Sequence, residues 1–302
     1  MSRTTLPAKQ LNSKDSKNII INGNMAMDIR NLGASHTIVA ASGWQYVGVD
    51  RMRVYCAGAN LTGQRVAGAD PLQYLYQITG AASASGVAFG QAIAAYNIAP
   101  YIGKVVTLSI LISGSALTSF DWYLAYPGAA DDLTSPTTIS TGTLVISSTL
   151  TRFTVTFTVP ANCDKGLFIY FYKSVAFTSG TLKFGEFQLE EGSSFTAFEK
   201  VPYEVEITRC EHYARWGPLD LQFYAVGASY THEHSFSFPR MRVTPTVGAN
   251  VADPNLAQTL VNVTNAGLIR ATPYNAAAYA TSTNAGQAYC LGYRAFFSAE
   301  IN

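Results

Sequence analysis

An all-β fold built as a sandwich of short strands is what this sequence predicts, and three observations carry the prediction. Several segments alternate apolar and polar residues with a period of two. Turn-forming clusters such as Tyr126-Pro127-Gly128, Pro160-Ala161-Asn162 and Ser179-Gly180 break the chain between them. Helical periodicity is weak throughout. Strands this short and regular, punctuated this often, suit two packed sheets rather than a helical or α/β architecture.

Taken in order, residues 1–17 hold lysines, serines and little that packs, so they read as a flexible attachment arm. Order is expected to begin with the β-branched run Asn18-Ile19-Ile20-Ile21, which Asn22-Gly23-Asn24 stops. Val105 to Ile112 and Phe120 to Tyr126 follow as strands. Arg152 to Val159 gives the clearest alternation, with Phe153, Val155, Phe157 and Val159 on one face and Arg152, Thr154, Thr156 and Thr158 on the other. Leu167 to Tyr172 is apolar or aromatic on both faces, as in a strand central to a sandwich or beside a subunit interface. Before residue 200 the best helical candidate is the short, small-residue segment Ala88 to Ala95. Glu204 to Arg215 places Val205, Cys210 and Tyr213 on one face and reads as a single linking helix. Strand patterning resumes at Tyr224 to Ala228, Glu233 to Phe238, Leu260 to Thr264 and Tyr289 to Ile301. These segments divide into an arm (1–17), a sandwich domain (18–200) and a linking helix with a smaller C-terminal β domain (201–302), the boundary falling near Val201-Pro202.

Composition narrows the function. In 302 residues, 48% are hydrophobic and only 13% charged, with a formal net charge of +1. That leaves no electrostatic footprint for nucleic acid or anionic lipid. Low charge with abundant Tyr, Phe, Thr and Ser suits a β protein that buries surface against further copies of itself. No apolar run approaches the ~18 residues that span a bilayer, and no apolar signal-peptide region is read near the N-terminus. Cys56, Cys163, Cys210 and Cys290 are far apart and read as buried thiols. Nucleotide-binding glycine loops and nucleophile elbows are absent from the sequence, so no enzymatic activity and no cofactor are expected.

Several separated segments, in order, resemble bacteriophage tail-fibre proteins that carry a carbohydrate-binding-module-like jelly roll. They are Asn18 to Asn24, Val49-Asp50-Arg51-Met52, Thr107-Leu108-Ser109, the closing block Gln188-Leu189-Glu190-Glu191-Gly192 through Thr196-Ala197-Phe198-Glu199, Cys210-Glu211-His212-Tyr213, and Phe238-Pro239-Arg240-Met241-Arg242 through Val247. Met52 departs from the family's aromatic, and a Gly/Ala-rich insertion from Gly80 to Gly90 is expected to reshape a sheet edge or loop. The resemblance implies a jelly roll and a virion component, commonly a homotrimer. Such a protein is made in the host cytoplasm, contacts other virion proteins through its arm and adheres to host surface glycans. A structural fibre, adaptor or decoration subunit without glycan binding, and a polysaccharide depolymerase, are the alternatives.

The residues themselves offer a few constellations. Sugar recognition needs aromatic faces beside polar groups, and Asp121, Tyr123, Tyr170 and Tyr172 supply both if they face the open side of a sheet, with Phe120, Trp122, Leu124 and Tyr126 turned to the core. His232 and His234 share a strand face and are the one metal-like pair, but with Phe236 and Phe238 continuing that face they fit equally well as caps on an apolar interface. Asp131-Asp132 reads as a solvated turn rather than a calcium site. Asp50 with Arg51 is expected to anchor a loop, with Glu190 or Glu199 available as partner to such an arginine.

Overall fold

The computed structural model describes residues 16–70, 73–218, 221–252, 259–291 and 293–301. They divide into two compact units, one running to Ile207 and including Ile301, the other from Thr208 to Glu300. The division falls inside the linking helix, α1 (Tyr203–Glu211), rather than before it. Glu204 and Glu206 in its first turn and Arg209 in its last suit the helix dipole. Glu206, buried, accepts the backbone N–H of Asn22, which ties the start of this helix to the first unit.

The first unit is a two-sheet sandwich. Its strands are β1 (His36–Ile38), β2 (Arg53–Ala57), β3 (Leu61–Ala67), β4 (Tyr74–Thr79), β5 (Gly86–Ile93), β6 (Val105–Gly114), β7 (Ser119–Tyr126), β8 (Thr137–Val145), β9 (Thr151–Thr158), β10 (Leu167–Lys173) and β11 (Thr181–Glu191). A six-stranded sheet runs β1-β3-β4-β11-β6-β9 and a five-stranded sheet β2-β5-β10-β7-β8, every pairing antiparallel. The aromatic core lies between them. Phe89 stacks on Phe184 with centroids 4.3 Å apart and planes at 11°, while Phe120 reaches Phe171 and Phe184, and Phe187 reaches Phe89 and Phe171. A bulge between Gly185 and Gln188 inserts one residue into β11, and Glu186 takes φ 44° there. Phe184 and Phe187, three apart, thereby both face inward, which strict alternation would forbid.

Three expectations need correction. Ala88 to Ile93 is strand rather than helix, and a one-turn helix begins only at Ala95 (Ala95–Ile98): β5 lies inside the five-stranded sheet, between β2 and β10, and all eight of its residues are buried. Val87, Phe89 and Ile93 enter the core on one face, while Gly86, Ala88, Gly90 and Ala92 make room on the other for side chains of the neighbouring strands. Tertiary cover on both faces overrides the weak helical preference of small residues, and the Gly80–Gly90 segment is a loop as far as Ser85 that then enters this central strand rather than an edge. Asn18 to Ile21 is likewise no strand. It is a buried plug, with the N–H of Ile19 bonded to the carbonyl of Leu189 at 2.9 Å and both backbone groups of Ile21 held by the side chain of Gln91. Finally, Ser16 and Lys17 are docked rather than part of a free arm: Ser16 donates to Glu199 at 2.6 Å, and Lys17 donates to Thr196 and to the carbonyl of Ala197. The rest of the arm, residues 1–15, lies outside the described residues.

The closing block forms a clasp after β11. Glu190, on the outer side of the six-stranded sheet, accepts the N–H and hydroxyl of Thr196 at 2.7 and 2.6 Å and the amide of Gln188 at 2.8 Å. The carbonyl oxygen of the Gln188 side chain accepts the N–H of Glu199 at 2.8 Å. Burial raises the Glu190 pKa, but the bonds from Thr196 and Gln188 and the charge of Lys17 outweigh it and hold the carboxyl below its usual range. Neither glutamate partners Arg51. Asp50 pairs instead with Arg30 at 2.9 Å, and Arg51, in a left-handed conformation at φ 71°, donates to the carbonyl of Ala92 at 2.8 Å.

The second unit is built from β12 (Ala214–Pro218), β13 (Leu221–Ala225), β14 (Thr231–Ser237), β15 (Thr246–Ala252), β16 (Thr259–Val261), β17 (Val263–Ile269), β18 (Asn275–Ser282), β19 (Gly286–Leu291) and β20 (Tyr293–Ser298). They form three-stranded sheets in the orders β12-β20-β15, β13-β19-β16 and β14-β18-β17. Small clusters around Leu221, Ala278 and Ala280, and around Met241, Ala276 and Phe297, supply its cores. The fold is thus nearly all β, and all four cysteines are buried thiols. Among the described residues no helix is long and apolar enough to cross a membrane.

Candidate functional site

The outer face of the five-stranded sheet gathers the aromatic residues. Register fixes this: one row across the sheet reads Tyr55, Ala88, Tyr172, Asp121, Thr143, and the next reads Arg53, Gly90, Tyr170, Tyr123, Thr141. The four residues singled out in the sequence therefore come together, with Tyr170 opposite Tyr123 and Tyr172 opposite Asp121. Phe120 and Leu124 take the opposite parity and are fully buried, while Trp122 and Tyr126 pack against the same core partly buried.

Tyr123 and Tyr170 stack at 4.8 Å with planes 3° apart, and Phe168 stacks on Tyr170 at 4.7 Å. Tyr170 therefore stacks on two neighbouring rings. Burial raises its pKa, a bond to the Thr138 hydroxyl opposes this, and nearby Tyr123 adds to the rise. The group stays a protonated phenol at neutral pH, able to donate or accept.

Three residues missed by sequence reasoning complete the face. Trp44 meets Phe168 at 5.0 Å and Tyr170 at 5.5 Å, with interplanar angles of 77° and 76°. The indole plane thus stands nearly perpendicular to Phe168 and Tyr170, and the Arg53 guanidinium lies over the Trp44 ring at 6.0 Å from its centroid. Tyr55 links Trp44 to Tyr172 at 5.9 and 6.1 Å, and Phe168 floors the cluster, 1% exposed. Trp44, Tyr55, Tyr123, Tyr170 and Tyr172 are all partly exposed. Phe168 was legible in principle, since it shares the parity of Tyr170 and Tyr172. Trp44 sits outside any strand, where alternation gives no signal.

Polar groups flank the rings. Asp121 accepts the Thr143 hydroxyl at 2.7 Å and pairs with Lys173 at 3.1 Å. Exposed Thr141 adds a hydroxyl beside Tyr123. Flat aromatic surface with hydroxyls and a fixed ion pair at its margin is chemically suited to the C–H faces and hydroxyl edges of a pyranose.

The other candidate residues stand apart from this face. His232 stacks on Phe223 at 5.0 Å and 17°, and His234 is exposed on β14, the edge of its sheet. Among the described residues no group of three or more His, Cys, Asp or Glu side chains is placed to hold a metal. Asp131 accepts the N–H of Ala95 at 2.7 Å and Asp132 that of Thr134 at 2.9 Å, so each fixes local backbone.

Fold and face together define a β-sandwich with an aromatic outer surface. No protein-family model and no curated protein matches the chain. Among solved structures it is similar to a CBM4 structure (18% identity over 59% of this chain and 100% of that one, TM-score 0.37). It is also similar to a putative sugar binding protein from Bacteroides thetaiotaomicron (11% identity, 58% and 100%, TM-score 0.37). A third is the enzymatically active domain of tailspike protein 4 of bacteriophage CBA120, of which it spans 22% (13% identity over 58% of this chain, TM-score 0.36). Likenesses at this level carry no functional weight.

Proposed function

We propose that the chain binds carbohydrate on the outer face of its five-stranded sheet, without chemical turnover, and serves as a virion tail fibre that attaches to a host surface. The observation that carries the glycan reading is the cluster of the partly exposed rings of Trp44, Tyr170 and Tyr123, with Trp44 in T-shaped contact with Phe168 and Tyr170 and with Asp121, Thr141 and Thr143 beside Tyr123 and Tyr172. In this reading Trp44, Tyr55 and Tyr172 offer ring surface, Tyr170 and Phe168 hold the indole in place, and Asp121 orients a hydroxyl. The virion role is supported by the ordered resemblance of the segments from Asn18 to Val247. Adhesion then gains strength from several weak sites presented on linked copies, arranged as a homotrimer in that resemblance.

The test is glycan-array and host-envelope binding by the full chain, beside Trp44→Ala, Tyr123→Ala and Tyr172→Ala. Each substitution is expected to weaken binding by about five- to ten-fold, on the scale of one lost ring stack of ~1–1.5 kcal/mol. Unchanged binding in all three refutes the site. Retained particle assembly without any glycan binding supports a structural subunit instead, and release of sugar from purified envelope supports a depolymerase.

A further inference from the structure

We propose that Tyr46 and Arg53 are positioning residues for the Trp44 indole and that Ile301 locks them in place, so that the aromatic face is completed by a residue lying beyond the second unit in sequence. The role in ligand binding rests on the glycan reading; the positioning does not.

Trp44 lies outside the named strands, and the bridge at Gln45 places it. The backbone of Gln45 exchanges two bonds with Val54, at 2.8 and 2.9 Å, which makes residues 44–46 an antiparallel partner of β2 with Trp44 opposite Tyr55 and Tyr46 opposite Arg53. Trp44 and Tyr46, two apart, therefore share the outer face of the five-stranded sheet, while the side-chain amide of Gln45 between them bonds both backbone groups of Val39. The row Arg53, Gly90, Tyr170, Tyr123, Thr141 thus gains Tyr46 at its end, and the row beginning at Tyr55 gains Trp44.

Arg53 joins the two rings. It is 7% exposed, and its guanidinium carbon lies 5.2 Å from the Tyr46 centroid, 5.5 Å from that of Phe168 and 6.0 Å from that of Trp44. A guanidinium stays charged and presents flat faces, so it is drawn to aromatic faces rather than merely filling space. Gly90, its partner in β5, has no side chain to compete for the position. Phe168 is the fixed floor of this group, so the place of Tyr46 decides where the guanidinium, and with it the indole, comes to rest. Tyr46 is held in turn: its hydroxyl donates to the carbonyl of Ile301 at 2.9 Å, and the Arg51 guanidinium lies 5.9 Å from its centroid. Ile301 is buried and belongs to the first unit, although Thr208 to Glu300 form the second. The bond at the hydroxyl and the cations against the ring fix Tyr46 at two points.

Tryptophan emission of the full chain, with no sugar present, tests the positioning. Tyr46→Phe keeps the ring and removes only the bond to Ile301; its emission is expected to shift to the red and to be quenched more strongly by acrylamide. Arg53→Lys, which keeps the charge and loses the flat fork, is expected to do the same. On a Trp44→Phe background, where Trp122 and Trp216 still report, Tyr46→Phe is expected to add no shift. Tyr96→Phe, which removes an exposed hydroxyl, is the control. On a glycan array, glycans bound by the wild type should be bound about two- to five-fold more weakly by Tyr46→Phe, the scale of one net hydrogen bond. Emission unchanged in Tyr46→Phe and Arg53→Lys, or a shift that persists without Trp44, overturns the positioning. A Trp44 shift with glycan binding undiminished overturns its role in the site, whereas a Trp44 shift with no glycan bound by the wild type refutes the glycan reading and leaves the positioning standing.

Discussion

Gly90 is where fold and candidate site meet, and Gly90→Ala puts that coupling to measurement. A Cβ on Gly90 would stand 2.4 Å from the carbonyl oxygen of Ile169 and 2.6 and 2.7 Å from the Cβ and Cα of Tyr170, where ordinary contact begins near 3.4 Å. None of these atoms is the movable end of a side chain, so β5 and β10 must part by about 1 Å at the centre of the sheet. Overpacking of this kind costs ~1–3 kcal/mol, and a ladder bond stretched beyond hydrogen-bonding range adds ~0.5–1.5 kcal/mol. The expected loss is ~2–4 kcal/mol, or a fall in Tm of ~5–15 °C for a unit of this size. Urea unfolding at 25 °C, followed by circular dichroism, reads it as a lower midpoint at unchanged slope. Gly128→Ala is the control, since its Cβ would meet only the carbonyl oxygen of Ser135, at 3.5 Å. If Gly90→Ala lies within ~0.5 kcal/mol of the wild type, the close approach of the two strands does not constrain the sheet and the reasoning fails.

Further predictions concern titratable groups. Glu190→Gln replaces an acceptor-only carboxylate with an amide beside Thr196 and Gln188, and is expected to cost ~1–3 kcal/mol. Because the folded Glu190 pKa is lowered, its contribution is present above the ordinary carboxylate pKa and lost as pH falls through the folded value; a variant with the same acid profile as the wild type would refute this. His36, whose Nε2 lies 2.8 Å from the Tyr76 hydroxyl, has its pKa lowered from 6.5 by burial, against the opposing charge of Asp28 and a bond to Ala34. The unfolded chain then binds the extra proton first, so stability is complete above pH 6.5 and declines below it, and His36→Gln should flatten that decline in urea midpoints measured across pH.

Strand existence was legible where one face meets water. The strands at Val105, Phe120, Arg152 and Leu167 all form, because alternation or a doubly apolar run leaves a trace in sequence when packing follows the pleat. β5 left none: Gly86, Ala88, Gly90 and Ala92 lack side-chain bulk because neighbouring strands fill that face, so the information resides in Tyr55, Tyr170 and Tyr172 rather than in β5. The candidate site divides the same way. Asp121, Tyr123, Tyr170 and Tyr172 could be grouped by parity along two strands, but parity says nothing of how rings meet across strands. The 3° stack of Tyr170 on Tyr123 depends on β7 and β10 being neighbours in a given register. Trp44 depends on a longer chain of circumstance: Gln45 must bridge to Val54 at the edge of β2 before the indole can reach the stack. A ring carried on such a bridge is set by the fold around it, so under the proposed glycan reading binding on a glycan array should respond to substitutions at Gln45 that leave every aromatic residue in place.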